Sequence, residues 1–368
     1  MSARLLVIDD KVRPYPMSLV SAEHFRYHQA GTAEAGIVES PEYSLYCLEP
    51  DRREAIFVRV PAGVDPVRAP FYFQAQYEAA QALVAVPYRA LHDLADRVRM
   101  DAANLILVYS TGRCGSTLVS RAFAGAEGVR SLSEPDVFTQ LIALRETGRC
   151  DTAELSELLR SCARLVCGGQ QRVAVKFRSF VVELAEVFHR HYPAAKNVFL
   201  YRGGYAWSRS TMRAFGAREA ETDAQRAAVQ DRLGTLLPLL AAYRAGKGRL
   251  LTPVEAMACH WVQLMECGLA LHRRGIPVFT ARYEELRTAP RETLRAMFVH
   301  CGLPALSGPV LDRVLAEDSQ AGSSVGRDEV GPDVALDAAE LATAIAELSS
   351  SISEDTVLPN TFALAGAG

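Results

Sequence analysis

Apolar positions along the chain follow two different rhythms, and the change between them falls near residue 100. Up to about Met100, short β-forming pieces at Arg4 to Ile8, Tyr43 to Leu48 and Ala55 to Val60 are separated by Pro, Gly and Asp. This mixture predicts a small α+β module over residues 1–100. It closes on a stretch from Tyr77 to Val98 in which Leu83, Leu91, Leu94 and Val98 recur at helical spacing, interrupted at Pro87, which breaks or starts a helix. From Asn104 the pattern changes. Leu105 to Tyr109 is an unbroken apolar run, as expected of a parallel strand buried on both faces. Ala174-Val175, Asn197 to Tyr201 and Val278 to Ala281 read as further strands, separated by long helical patterns such as Thr152 to Cys167 and Val254 to Arg274. Strands alternating with helices predict an α/β domain over 101–368, with a mostly parallel sheet flanked by helices. A last helical stretch spans about Ala338 to Ser349, before a run of small residues from Ala365 to Gly368. No internal repeat is present.

Composition narrows the function classes. At 368 residues the chain exceeds the roughly 250–300 at which a single core stops growing, which favours one large domain with a smaller one. Net charge is -3 and no long Lys/Arg block occurs, so nucleic acid is not expected as a partner. The eight cysteines are scattered, with no C-x-x-C pair and no histidines at zinc spacing, so reduced thiols and no metal site are expected. Met1 to Asp10 lacks the charged start and apolar stretch of a secretory signal, and no apolar run approaches the roughly 20 residues of a spanning helix. A cytoplasmic protein with no membrane partner is the expectation. Oligomeric state is not legible.

Two segments carry candidate chemistry. Ser110-Thr111-Gly112-Arg113-Cys114-Gly115-Ser116-Thr117-Leu118 follows the buried strand and precedes a helical pattern, so its amides and the helix N-terminus converge on one point, suited to an anion. Gly112 and Gly115 permit close approach, Ser116 and Thr117 offer hydroxyls, and Arg113 adds a charged fork. No lysine precedes Ser116, as a Walker loop would require, which disfavours ATP hydrolysis. The second segment, Asn197 to Arg202 followed by Gly203-Gly204 and Tyr205 to Ser210, is a strand ending in arginine and a turn into a helix. Arg202 and Ser210 are placed to close on one phosphate, with Ser208 as the alternative serine.

On these residues the chain resembles the PAPS-dependent sulfotransferases (PAPS, 3'-phosphoadenosine-5'-phosphosulfate). Tyr109 to Leu118 resembles their 5'-phosphosulfate loop, closest to the tyrosylprotein, carbohydrate and bacterial types that carry arginine in it; Cys114 stands where a small polar residue is usual. Arg202 and Ser210, eight positions apart, match the 3'-phosphate motif, although Gly203-Gly204 replaces its usual Asn/Asp-Pro. The segment VFTARYEELRTAPRETLRAMFVHCGLP, Val278 to Pro304, resembles a late strand, turn and closing helix of the family, in which Tyr283 and Glu284 read as scaffold. The resemblance covers about Asn104 to Pro304, and onward to Gly331, and leaves the first 100 residues unexplained. It implies a P-loop-type α/β fold and transfer of a sulfuryl group to a hydroxyl or amine of a small-molecule or glycan acceptor. Adenosine 3',5'-bisphosphate would be the nucleotide product, and no metal is needed.

The resemblance also assigns the chemistry. Glu134, 21 residues beyond Arg113, takes the place of the family's general base, with Asp136 in reserve. Lys176, at the end of a strand where α/β ligand sites gather, is the candidate to steady the leaving group, with Arg178 as competitor. His189 and His191 stand nearest to the order seen in family members that use a histidine base, on what reads as a surface helix. Arg327, within the Gly/Ser-rich segment DSQAGSSVGRDEVG, is the candidate for a late basic contact to the 3'-phosphate or part of a plain linker. Two rivals share the same features: a P-loop kinase of small molecules, and a non-catalytic nucleotide-binding module.

Overall fold

The computed structural model describes residues 1–169, 171–215, 222–317 and 335–363. In chain order the first elements are β1 (Ser2–Lys11), β2 (Phe25–Glu34), β3 (Tyr43–Glu49), β4 (Glu54–Arg59), α1 (Tyr72–Ala79), β5 (Ala82–Pro87) and α2 (Tyr88–Arg97). Their five strands form an antiparallel sheet in the order β2-β1-β5-β4-β3. The helical spacing over Tyr77 to Val98 is overturned in part: Ala82–Pro87 is a strand, and the helix begins directly after Pro87. Leu83, Val84, Ala85 and Val86 are buried because β5 is central, paired with β1 on one side and β4 on the other. A short apolar run of this kind suits a buried strand as well as a helix turn, and length decides between them. Edge strand β2 went unseen because it is largely exposed and its residues, FRYHQAGTAE, form no apolar run.

Next come β6 (Leu105–Ser110), α3 (Ser116–Ala124), β7 (Val129–Ser133), α4 (Val137–Glu146), α5 (Thr152–Cys167), β8 (Arg172–Lys176) and α6 (Ala185–His191). After these follow β9 (Lys196–Tyr201), α7 (Gly204–Phe215), α8 (Asp223–Gly234), α9 (Pro238–Lys247) and α10 (Pro253–Arg273). The chain ends with β10 (Val278–Arg282), α11 (Tyr283–Thr288), α12 (Pro290–His300), α13 (Gly308–Ala316) and α14 (Ala338–Leu348). Strands β6 to β10 make a second five-stranded sheet, in which β9 pairs in parallel with β10 on one side and β6 on the other. The fold is α/β, with this parallel sheet flanked by helices beside an antiparallel one.

Local signals explain the element ends. Asp151 caps α5 by accepting from the Glu154 amide at 2.9 Å. Thr252 and Glu255 form a capping box at the start of α10, with Pro253 in its first turn. Strand β6 is buried at all six positions, as its continuous apolar run requires.

Two compact units divide the chain discontinuously. The first holds Met1–Leu105, Arg130–Phe177 and Val187–Ala195; the second holds Ile106–Val129, Arg178–Glu186 and Lys196–Gly368. In the first unit Tyr46, Phe73, Phe138, Phe177 and Phe188 are fully buried, the last three packing ring against ring. The second unit's core centres on Trp207, Trp261, Tyr109, Phe199 and Tyr201. No helix among the described residues is long and apolar enough to cross a membrane.

Candidate functional site

In the second unit, β6 runs straight into the Gly112 to Thr117 turn. Gly112, Arg113 and Gly115 all have left-handed backbone, with φ of 75°, 50° and 79°. Glycine adopts that region freely, whereas Arg113 is held there at a cost of order 1–3 kcal/mol. Gly115 also has no room for a side chain, because a Cβ would lie 2.7 Å from Leu286 Cδ2 and 3.4 Å from the Tyr283 ring. Gly115 caps α3 without any side-chain hydrogen bond, and Ser116 and Thr117 are buried in the helix's first turn. Turn and neighbouring strand are fastened by Thr111 N–H donating to the Leu200 carbonyl at 2.9 Å, and by Trp207 Nε1–H donating to the Thr111 carbonyl at 2.8 Å. Cys114 is 1% exposed and its thiol donates to the Leu200 carbonyl at 3.4 Å, so this departure from the family pattern faces the sheet.

Arg202 emerges at the end of β9 and meets this turn. Its Nη1–H donates to the Arg113 carbonyl at 3.3 Å, and Arg113 Nε–H donates to Ser210 Oγ at 3.3 Å. The guanidinium of Arg202 lies over the Tyr283 ring, 4.5 Å from its centre, while the Arg202 carbonyl accepts from Trp261 Nε1–H at 3.0 Å. Arg202 Nε is buried with no hydrogen-bond partner among the described residues. Burial, followed by the nearby positive charge of Arg202, lowers the pKa of Arg113. Two guanidinium groups sharing a partly dry turn raise each other's energy, and an anion between them would relieve it. Ser210 reaches Arg113; Ser208 does not, being fully buried on α7 with its Oγ unpartnered among the described residues. Arg327 lies outside the described residues.

The first unit carries a second cluster. Glu134, between β7 and α4, has φ of 62°, a left-handed conformation rarely adopted by a glutamate. Its N–H donates to the Lys176 carbonyl at 2.6 Å, and its Oε1 is ion-paired with the Lys176 ammonium. Both residues are buried, at 7% and 4% exposure, and Glu134 Oε2 has no hydrogen-bond partner among the described residues. Hydrogen bonds fix the residues on either side: Ser133 Oγ–H donates to the Pro70 carbonyl at 2.7 Å, and Asp136 Oδ2 accepts the Val20 amide at 3.2 Å. Directly after Pro135, the reserve carboxylate thus anchors backbone. Lys176 Nζ lies 5.9 Å from the centre of the Phe71 ring.

Arg178 belongs to the second unit, over the Phe180 ring at 5.8 Å. His191, on α6, pairs with Ser156 Oγ at 2.8 Å, and His189 Nδ1 is buried without a hydrogen-bond partner among the described residues. Their helix is half-buried, contrary to the surface helix expected, because Val187 and Phe188 sit in the core. Among the described residues, no group of three or more His, Cys, Asp or Glu could hold a metal ion.

No family model matches the sequence, and no curated protein matches it. Solved structures it is similar to include several sulfotransferases. A sulfotransferase from Alicyclobacillus acidocaldarius is 13% identical, covering 60% of this chain and 91% of its own, at a TM-score of 0.37. The sulfotransferase STF9 of Mycobacterium avium is 14% identical over 74% of this chain and 81% of its own, at 0.38. Mouse sulfotransferase SULT7A1, solved in complex with PAP, is 13% identical over 65% and 70%, at 0.34. At such identities no residue here inherits a role.

Sequence reasoning missed the buried His260 on α10. Its ring stacks on Phe180 at 5.2 Å and meets Trp207 edge-on at 5.0 Å, Nε2 has no hydrogen-bond partner among the described residues, and burial lowers its pKa to about 3. Position gave no signal, since a single histidine inside an apolar helix reads as core. Tyr283 was read as scaffold, yet it packs on both Arg202 and Gly115. The Tyr-Glu-x-Leu motif marked its segment, though not that contact.

Proposed function

We propose that this chain is a PAPS-dependent sulfotransferase acting on a hydroxyl or amine of a small-molecule or glycan acceptor. The reading rests above all on the meeting of Arg113, Arg202 and Ser210 at one turn of left-handed, glycine-bearing backbone. Such a turn, with an uncapped helix start and two guanidinium groups beside it, fits the anionic ends of a doubly phosphorylated adenosine. In this reading Gly112, Arg113, Cys114, Gly115, Ser116 and Thr117 take the 5'-phosphosulfate, and Arg202 with Ser210 takes the 3'-phosphate. Arg327 is a further candidate for the 3' end.

When bound, the donor supplies an activated sulfuryl group on its 5'-phosphate. Glu134 accepts the proton of the acceptor O–H or N–H as the new bond to sulfur forms. Lys176 donates a hydrogen bond to the oxygen that bridges sulfur and phosphate as that bond breaks, leaving adenosine 3',5'-bisphosphate. A positioned base contributes about 10²–10⁴ in rate.

Calorimetry with adenosine 3',5'-bisphosphate, alongside 5'-AMP and Mg-ATP, tests the proposal. Binding of the bisphosphate with clear preference over 5'-AMP is the expected result. Absence of any binding would remove the donor site, and magnesium-dependent turnover of ATP would favour the kinase reading instead.

A further inference from the structure

Downstream of α14 the chain returns across the strands that carry Arg202. Leu358 N–H donates to Tyr201 Oη at 3.1 Å, Tyr201 Oη shares a hydrogen bond with Thr361 Oγ1 at 2.9 Å, and Phe362 N–H donates to the Thr280 carbonyl at 2.7 Å. A parallel bridge between Thr280 and Thr361 continues β10's pairing, and Phe362 packs on Phe279 with ring centres 5.9 Å apart. On the other flank of Arg202, Gly204 N–H donates to the Glu354 carbonyl at 2.8 Å. Residues 354–362 therefore grip the residue immediately before Arg202 and the residue two after it.

Gly204 is shaped by this strap and Gly203 by the Arg282 side chain. A Cβ on Gly204 would lie 3.3 Å from Glu354 Cα and 3.4 Å from Trp261, and one on Gly203 would lie 3.2 Å from Arg282 Nη2. Gly204 opens α7, a position at which proline is ordinarily well tolerated because the first helical N–H has no partner within the helix. Here that N–H has a partner outside the helix, so a proline at 204 would forfeit the hydrogen bond to Glu354. The glycine at 204 thus follows from the strap crossing over the turn.

We infer that the C-terminal strap is the positioning device for Arg202, setting the preference for a 3'-phosphorylated nucleotide, with Tyr201 and Gly204 as its two points of attachment. The inference rests on the donor reading above. Arg202 has its guanidinium on Tyr283 and Arg113, and a charged hydrogen bond to phosphate depends steeply on where its donor sits. Loosening the backbone on both sides should blunt that contact while leaving the turn at Gly112 to Thr117 intact.

The test measures affinities of adenosine 3',5'-bisphosphate and 5'-AMP by calorimetry for the full chain, for Tyr201→Phe and for Gly204→Pro, with thermal melts alongside. Tyr201→Phe keeps the buried ring and removes only the hydroxyl, so it remains interpretable if Gly204→Pro fails to fold. The expected result is a roughly tenfold loss of bisphosphate affinity with 5'-AMP affinity held within about twofold. A purely structural role would weaken both nucleotides together. Equal weakening, or an unchanged preference, overturns the inference while leaving the donor site standing. If the unaltered protein itself fails to prefer the bisphosphate, the donor reading falls and takes the strap's role with it.

Discussion

Glu134 combines a left-handed backbone, burial and an ion pair with Lys176. Each of these is costly alone, and strain of this kind gathers where chemistry is done. Glu134→Gln keeps the shape and removes the proposed base, so on the proposed mechanism we expect sulfuryl transfer to fall about 10²–10⁴-fold with unchanged affinity for adenosine 3',5'-bisphosphate, read by labelled-donor turnover and calorimetry. Lys176→Ala instead leaves a buried carboxylate without its counter-charge and should cost about 3–5 kcal/mol in denaturant melts; the double variant Glu134→Leu, Lys176→Met should cost less than that single change. Arg202→Ala removes the proposed charged partner of the 3'-phosphate, worth about 1.5–3 kcal/mol, and should weaken the bisphosphate tenfold or more while sparing 5'-AMP.

At the scale of elements, β6, the turn and α3 behave as one device: a strand buried on both faces delivers a turn whose conformation only glycine accepts at residue 115. Gly115→Ala meets both the left-handed φ of 79° and the contact with Leu286, so a loss of about 1–3 kcal/mol in stability is expected, with weakened nucleotide binding. Calorimetric melts and nucleotide titration of the same sample check both. Elements also show where the sequence misled. Helix α5 and helix α10 were legible because their apolar period runs for several turns between caps. Strand β5 was not, because six residues with one leucine at helical spacing fit either state, and only pairing on both edges decides.

For the whole molecule, buried histidines set the response to acid. Burial lowers His24 to about 4 and His260 to about 3, against an ordinary value near 6.5 in the unfolded chain. Their folded pKa lies below the unfolded one, so the unfolded state binds more protons between about pH 3 and 6.5. Stability is thus highest above 6.5 and falls as pH drops through that window. Urea melts at pH 7, 6 and 5 should show a decline before the carboxylates titrate, and His260→Phe, which keeps the ring stacked on Phe180, should remove up to about 1.4 kcal/mol per pH unit of it. A flat profile in the unaltered protein would contradict the burial of these rings.

By itself the sequence determined the alternation of strands and helices, the anion-suited turn from Gly112 to Thr117, and the Arg202 to Ser210 spacing, because each is written in residues that are neighbours along the chain. Tertiary structure alone decided that Arg113 meets Ser210 and Arg202, contacts 97 and 89 residues apart, and that Ser210 rather than Ser208 is the serine that arrives. It likewise decided that Glu134 and Lys176, 42 residues apart, face each other, and that the chain's end clasps Tyr201 from 157 residues away. Local periodicity fixes which face of an element is apolar; it holds no record of which distant strand or strap will lie against that face.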